Sequence, residues 1–446
     1  MPFAAIKQVF LNAYLLLMTI HKNPTKIRLH RILVEKKELF MNYIKRDMEE
    51  LVLDLTKEYS CILITGPRQV GKSTMLEHID KSRNKVTLDD LQERNLARTD
   101  PEMFLQIHKP PLLIDEIQYA PELFIYLKIA IDNGAEPGSY WLTGSQSYKL
   151  MKLSKESLAG RIAILNLSSF SGHELFASNE LKPFEISLTS LEQRALGNKP
   201  TDVNEMFERI WNGGMPGLLS KKYTNRDIFF SSYLQTYISR DVREETSLRD
   251  DGQFMDFVRA VACRVGQELN VHSIALDVDV SDDTAKRWLS VLEKSEIIFF
   301  LHPYSNNLLK RVLKTPKVYF FDTGLVSYLT KHSSPEILQN SSINGAILEN
   351  YIVSEIKKSY ANSGKELNMY YYRDKEQREI DLILETNGVL HPIEIKKTSN
   401  PTLLMTKNFA VLEKADVKFG QGAIICMKDK LLALSKDVLI VPAWYI

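Results

Sequence analysis

The chain has 446 residues, of which 44% are hydrophobic and 25% charged, and its formal net charge is +1. This is the composition of an ordinary globular protein of two to four domains, and the balanced charge excludes a global field that draws the chain to DNA or to a membrane surface. Its three cysteines, Cys61, Cys263 and Cys426, are too scattered for a metal-binding spacing and point to a reducing, cytoplasmic setting.

Residues 1–40 read as an N-terminal extension. The apolar run Val9–Ile20 is shorter than the roughly 20 residues that span a bilayer, and it lacks a small-residue cleavage site. No later segment offers an uninterrupted span, so no membrane partner is expected. A chain begun at Met41 is expected to keep its nucleotide chemistry. Met48–Tyr59 places Met, Leu and Val at helical spacing. Cys61–Thr65 is predicted as a buried strand, and it leads into Gly66-Pro67-Arg68-Gln69-Val70-Gly71-Lys72-Ser73. That run fits the phosphate-loop pattern G-x-x-x-x-G-K-[ST] without a mismatch, and a helix is predicted to start near Lys72. Gly66 and Gly71 let successive amides turn toward phosphate oxygens, and the helix N-terminus adds its positive dipole. Lys72 is expected to reach the β- and γ-phosphates of ATP, Ser73 to hold Mg²⁺, and Thr74 to close the nucleotide contacts.

Pro111–Ile114 leads apolar into Asp115-Glu116, the form of a second nucleotide-site strand. Asp115 is expected beside Mg²⁺, with Glu116 orienting and deprotonating the attacking water. A third strand, Ser139–Ser145, should lie between these two and bring Ser145 or Thr143 near the γ-phosphate. Arg161 reads either as an arginine finger or γ-phosphate sensor, or as a surface arginine capping a strand. Strands at about 61–65, 85–88, 111–115, 139–143 and 161–167 alternate with helices. They predict a parallel α/β sheet with the nucleotide at the C-terminal strand ends.

These motifs together resemble the archaeal and bacterial AAA+ ATPases whose C-terminal half is a domain of unknown function. The resemblance rests on Thr65–Thr74, Leu113–Pro121, Trp141–Gln146, Leu158–Arg161, Gly213–Pro216 and Tyr319–Gly324, and runs from about Met41 to near the C-terminus. It implies ATP binding and hydrolysis on an AAA+ core at 41–169, and it supplies no biological role. Residues 170–255 would then be a helical lid, with helices at Glu205–Trp211 and Ile228–Ile238. Arg240 and Arg243 there read as γ-phosphate sensors or as a salt-bridged helix surface.

Residues 256–330 suggest a winged helix. Leu269–Ala275 and the Ser281-capped Asp282–Lys294 form a helix-turn-helix, and β-runs follow at Ile297–Leu301 and Val318–Phe321. Lys310, Arg311, Lys314 and Lys317 would make a basic wing. Such a module meets DNA phosphates or packs on protein, and oligomerisation stays open. In residues 331–446, Glu349 on a helix, Asp381 on one strand and Glu394 with Lys396 on another resemble the PD-(D/E)xK nuclease core, a restriction-endonuclease-like α/β fold. Asp381 and Glu394 would hold Mg²⁺ and Lys396 would stabilise the attacking hydroxide or the transition state. A centre kept only for structure would instead pair Lys396 with a carboxylate. The main reading is a Mg²⁺-dependent ATPase; the alternatives are a nucleotide-gated nuclease and a nucleotide-switched binding or scaffold protein with negligible turnover.

Overall fold

The computed structural model describes residues 43–144, 158–177, 182–237, 251–305, 315–414 and 418–446. Contacts divide the chain into two units. Of the smaller, Met1–Tyr43 with Ser220–Lys222, only Tyr43 and Ser220–Lys222 are described. The larger comprises Ile44–Leu219 and Tyr223–Ile446.

The larger unit opens with helix α1 (Glu49–Thr56) and strand β1 (Cys61–Thr65), followed by helix α2 (Lys72–Ile79). Strand β2 (Asn84–Thr87), helices α3 (Leu91–Thr99) and α4 (Pro101–Ile107), and strand β3 (Leu112–Asp115) come next. Helix α5 (Leu123–Asp132) and strands β4 (Tyr140–Thr143) and β5 (Ile162–Asn166) complete a five-stranded parallel sheet in the order β2-β3-β4-β1-β5. Every expected strand is present within one or two residues of its predicted bounds. The third strand does lie between the two motif strands. The interval before Asp115 holds two helices in place of the single helical stretch expected.

Side chains alternate across these strands, and both faces are covered. Cys61, Leu63, Ile114 and Leu142 pack with Phe104 and Phe124 on one face. Ile62, Ile64, Leu113 and Trp141 pack with Met48, Val52, Met75 and Leu76 on the other. Asp90 and Asp100 cap α3 and α4 by accepting from backbone amides of the first turn, which fixes where each helix starts.

A helical segment follows: α6 (Gly172–Phe176), α7 (Leu188–Gly197), α8 (Val203–Asn212), a single turn at Pro216–Leu219, and α9 (Arg226–Tyr237). Helices α10 (Asp251–Ala262), α11 (Val271–Asp277) and α12 (Asp282–Lys294) precede an antiparallel two-stranded ladder, β6 (Ile298–Leu301) with β7 (Lys317–Phe320). Ser281 caps α12 by accepting from the Thr284 amide, as its sequence position foretells. The expected wing residues Lys310, Arg311 and Lys314 lie outside the described residues, as do Arg240 and Arg243.

Helices α13 (Thr323–Leu329), α14 (Pro335–Gln339) and α15 (Asn344–Asn362) lead to the last sheet. Strands β8 (Asn368–Arg373), β9 (Glu379–Thr386) and β10 (Val389–Lys396) form an antiparallel meander. After a 3₁₀ segment at Leu403–Lys414, β11 (Lys418–Phe419) and β12 (Gly422–Cys426) join β10 in parallel. Strands β13 (Leu432–Ala433) and β14 (Val438–Pro442) finish a seven-stranded mixed sheet. One hydrophobic cluster extends from Phe184 through Phe257, Trp288, Phe320 and Ile352 to Trp444 and Ile446. The helical segment from α7 to α9, the helix–ladder segment and the C-terminal sheet therefore share a core. All three cysteines are free; Cys61 and Cys426 are buried in strands, and Cys263 is exposed just past α10. No described helix is long and apolar enough to cross a membrane.

Candidate nucleotide site

The phosphate loop leaves the C-terminal end of β1. Gly66 sits at φ 137°, and a Cβ built there would lie 2.1 Å from the Leu167 carbonyl oxygen, so only glycine fits. Gly71, at φ 93°, is the N-cap of α2. Pro67 and Val70 are buried, Arg68 is partly exposed, and Gln69, at φ 62°, is exposed at the loop's tip. The buried Arg46 holds this loop from outside: its Nη1 donates to the Val70 carbonyl at 2.8 Å and its Nη2 to the Ser168 carbonyl at 2.8 Å. Its Nε pairs with Glu174 at 2.7 Å, and the guanidinium stacks over Phe170. Sequence reasoning passed over Arg46. A lone arginine ahead of a helix carries no motif, and its partners lie more than 20 residues away.

Lys72 is buried and folded back on the loop, donating from Nζ to the Gly66 carbonyl at 2.9 Å and the Pro67 carbonyl at 2.8 Å. Burial lowers its pKa to about 8, with Glu116 opposing the shift and Arg68 adding to it. Ser73 and Asp115 meet: Ser73 Oγ donates to Asp115 Oδ1 at 2.5 Å. Thr143, the last residue of β4, donates to the same carboxylate oxygen. Its oxygen also accepts the Glu116 amide at 3.3 Å. Glu116 stands in the left-handed region at φ 60°, and Gln118 donates to its Oε2. Thr74 is exposed on the first turn of α2, and Ser145 lies outside the described residues.

Arg161 goes elsewhere. It precedes β5, and β5 runs parallel to β1 with Ile162 opposite Cys61 and Asn166 opposite Thr65. Arg161 is therefore at the end of the sheet remote from the loop, where its Nε pairs with Asp132 at 2.5 Å. Within the described residues of this chain it is not part of the loop's surroundings.

The C-terminal centre is assembled but self-neutralised. Asp381 and Glu394 are buried, and Lys396 Nζ lies 2.8 Å from Asp381 and 2.7 Å from Glu394. Asp381 also accepts the Ile395 amide at 2.8 Å. Burial and the Asp381 charge raise Glu394 to about 8. Burial opposes the Lys396 charge, but the two carboxylates outweigh it and raise its pKa. Glu349 takes hydrogen bonds from Lys317 at 3.0 Å and Tyr319 at 2.6 Å, and Lys317 also pairs with Glu379 at 2.6 Å. Lys317, expected in a basic wing, is instead buried on β7 against these acids. Among the described residues no three His, Cys, Asp or Glu side chains converge as a metal site. The ammonium of Lys396 faces both carboxylates that were expected to bind Mg²⁺, which is the pairing foreseen for a structural centre. The arrangement does not fit the ion as it stands.

Comparison with known proteins matches three stretches of the chain. Residues 58–176 match the model of a family described as an AAA domain. Residues 203–336 and 344–446 match two families described as domains of unknown function, DUF8612 and DUF4143. An uncharacterized protein of Mycobacterium tuberculosis, Rv2008c, is 28% identical over 386 residues, covering 86% of this chain and 80% of its own length. Another uncharacterized protein, MJ1637 of Methanocaldococcus jannaschii, is 24% identical and covers 72% of each chain. Among solved structures, the Walker-type ATPase PABY2304 of Pyrococcus abyssi aligns with 65% of this chain and 99% of its own, at 16% identity and a TM-score of 0.40. The AAA-domain match supports ATP binding by the loop described above.

Proposed function

We propose that residues 58–176 bind ATP with Mg²⁺ and hydrolyse it. The observation that carries this reading is the contact between Ser73 and Asp115, which joins the phosphate loop to the end of β3 with Glu116 as the next residue. A hydroxyl beside a carboxylate, both at the strand ends, is a hard-oxygen donor set that fits Mg²⁺. Bound there, the ion would neutralise phosphate charge. The remaining roles belong to the chain. Lys72 leaves the Gly66 and Pro67 carbonyls and turns its ammonium to the phosphates. Thr143 keeps Asp115 and the Glu116 backbone in register. Glu116 accepts the proton of the attacking water, and Gln118 orients its carboxylate. The test is Mg²⁺-dependent phosphate release by the full chain. Glu116→Gln should keep ATP bound and slow turnover by about 10²–10⁴-fold, as expected for loss of a general base. Lys72→Ala should lose ATP binding. Unchanged turnover in Glu116→Gln removes Glu116 from the mechanism.

A second reading concerns residues 331–446, the nuclease-like domain. The proximity of Asp381, Glu394 and Lys396 favours it, while the pairing of Lys396 favours a centre that no longer cleaves. Incubating the full chain with single-stranded, duplex and branched DNA and with RNA, in Mg²⁺ or Mn²⁺, separates the two. Cleavage that disappears in Lys396→Ala supports a nuclease. Residues 256–330 are proposed as a winged helix, with DNA or a protein as its partner, in a cytoplasmic protein.

A further inference from the structure

The turn between α12 and β6 carries a carboxylate that the nucleotide reading does not use. Glu296 holds a left-handed backbone at φ 58°, a conformation unfavourable to any residue but glycine, asparagine or aspartate. Its Oε1 accepts a hydrogen bond from Asn166 Nδ2. Asn166 ends β5 opposite Thr65, the residue just before the phosphate loop. The other oxygen, Oε2, is shielded from solvent and has no hydrogen-bond partner among the described residues. The Asn166 Oδ1 is orphaned in the same way and lies 3.3 Å from the position a Gly66 Cβ would take.

The turn enters a narrow crevice whose walls include Pro67 and Val70 of the loop, Met215, Tyr233 and Asp322. Glu296 is near enough to Lys72 for each charge to favour the other. A shielded carboxylate with one unpaired oxygen on a strained backbone is costly. The Lys72 ammonium, part of a loop suited to anions, offsets only part of that cost. Glu296 is thus the chain's own anion, presented to the phosphate loop by a segment remote in sequence.

We propose that Glu296 is an intramolecular stand-in for a nucleotide phosphate, and that a nucleoside triphosphate entering the loop expels it. Two anions cannot share the field of one lysine without repulsion. The α12–β6 turn must therefore withdraw as the nucleotide binds, and binding at the loop loosens the helix–ladder segment from the ATPase sheet. The inference rests on the nucleotide reading above. It turns that segment into the part of the molecule that registers whether the loop is filled.

The test uses the full chain, wild type and Glu296→Gln, titrated calorimetrically with the slowly hydrolysed analogue ATPγS and Mg²⁺. Glutamine keeps the size of the side chain and removes only its charge, so thermal melts should show both proteins folded. Glu296→Gln should bind about 5- to 100-fold more tightly, the span of a typical coupling between two sites. In the wild type, saturating ATPγS should speed amide hydrogen exchange in the peptide spanning residues 290–301. Equal affinity of the two proteins, or exchange there that is unchanged or slowed by the analogue, overturns the proposal and leaves the nucleotide reading intact. Failure of both proteins to bind overturns the nucleotide reading and this proposal with it. Should Glu296→Gln fail to fold, the exchange measurement on the wild type decides alone.

Discussion

At the scale of single residues, the site is governed by what fills space and what carries charge. Gly66→Ala puts a methyl group onto the Leu167 carbonyl, at 2.1 Å. It should cost on the order of 2–4 kcal/mol and disable the loop, measurable as a lower urea midpoint and lost ATP binding. Glu296 gives a pH prediction. Burial raises its pKa to about 7, against the smaller opposing pulls of Asn166, Lys72 and Lys357. Folding therefore favours protonation more than the unfolded chain does, and Glu296 is ionised, as a phosphate stand-in must be, mainly above about pH 7. The stability this confers is complete below the ordinary carboxylate range, near pH 4.5, and is lost as pH rises through about 7. Relative to Glu296→Gln, the wild type should lose at most about 3 kcal/mol over that window. Parallel urea titrations of the two proteins at pH 5 and pH 8 check it; a difference that grows in the opposite direction contradicts the assignment. In the C-terminal centre, Asp381→Ala strands the Lys396 ammonium beside Glu394 and orphans the Ile395 amide. A loss of about 2–4 kcal/mol in stability is expected, with ATP turnover unchanged.

At the scale of elements, legibility followed local order. The strands of the five-stranded parallel sheet were readable because a parallel strand buried on both faces is a continuous apolar run, and the loop and the Asp115-Glu116 pair punctuate two of them. Helix α12 was readable to its first residue because Ser281 supplies the cap. Strands β12 and β14 are equally apolar, GAIIC and VLIVP, but no motif interrupts the run around them, and they went unread. Residues whose meaning depends on long-range contact were also hidden. Asn166 and Glu296 meet across 130 positions, and no spacing rule connects them. Lys317 looked like part of a basic wing because wings are basic, yet its place on β7 points it into a cluster of acids. Arg161 was ambiguous because strand direction, not residue type, decides which end of β5 it occupies. Paired with Asp132 at the far end, Arg161→Ala should leave ATP turnover within about twofold, since exposed pairs contribute little. A loss of tenfold or more would mean that a second copy of the chain receives this arginine.

At the scale of the molecule, the sheets are bound to each other through α15. That helix packs against β5 of the parallel sheet, β7 of the ladder and β10 of the last sheet. Glu355 accepts the Gly172 amide at 2.6 Å, and Lys358 donates to the Phe170 carbonyl at 3.1 Å while pairing with Glu355 at 2.9 Å. Further along, Tyr360 donates to the Phe184 carbonyl at 3.0 Å, and Arg194 donates to the Tyr445 carbonyl at 3.0 Å. A chain cut after residue 330 would lose Ile347, Ile352, Ile393 and Trp444 from the shared cluster. It should expose a broad apolar face, bind a hydrophobic dye and aggregate. A soluble, well-folded product from that truncation would show that the cluster is divisible.

The distribution of thiols has a practical side. Burial pushes the pKa of both Cys61 and Cys426 upward, which withholds the reactive thiolate. Cys263 alone stands exposed, at the C-terminal end of α10 in the segment that also presents Glu296. A maleimide dye added to the unaltered protein should therefore attach at one place. It supplies a ready-made optical reporter of nucleotide-driven movement, with no cysteine to remove and none to introduce.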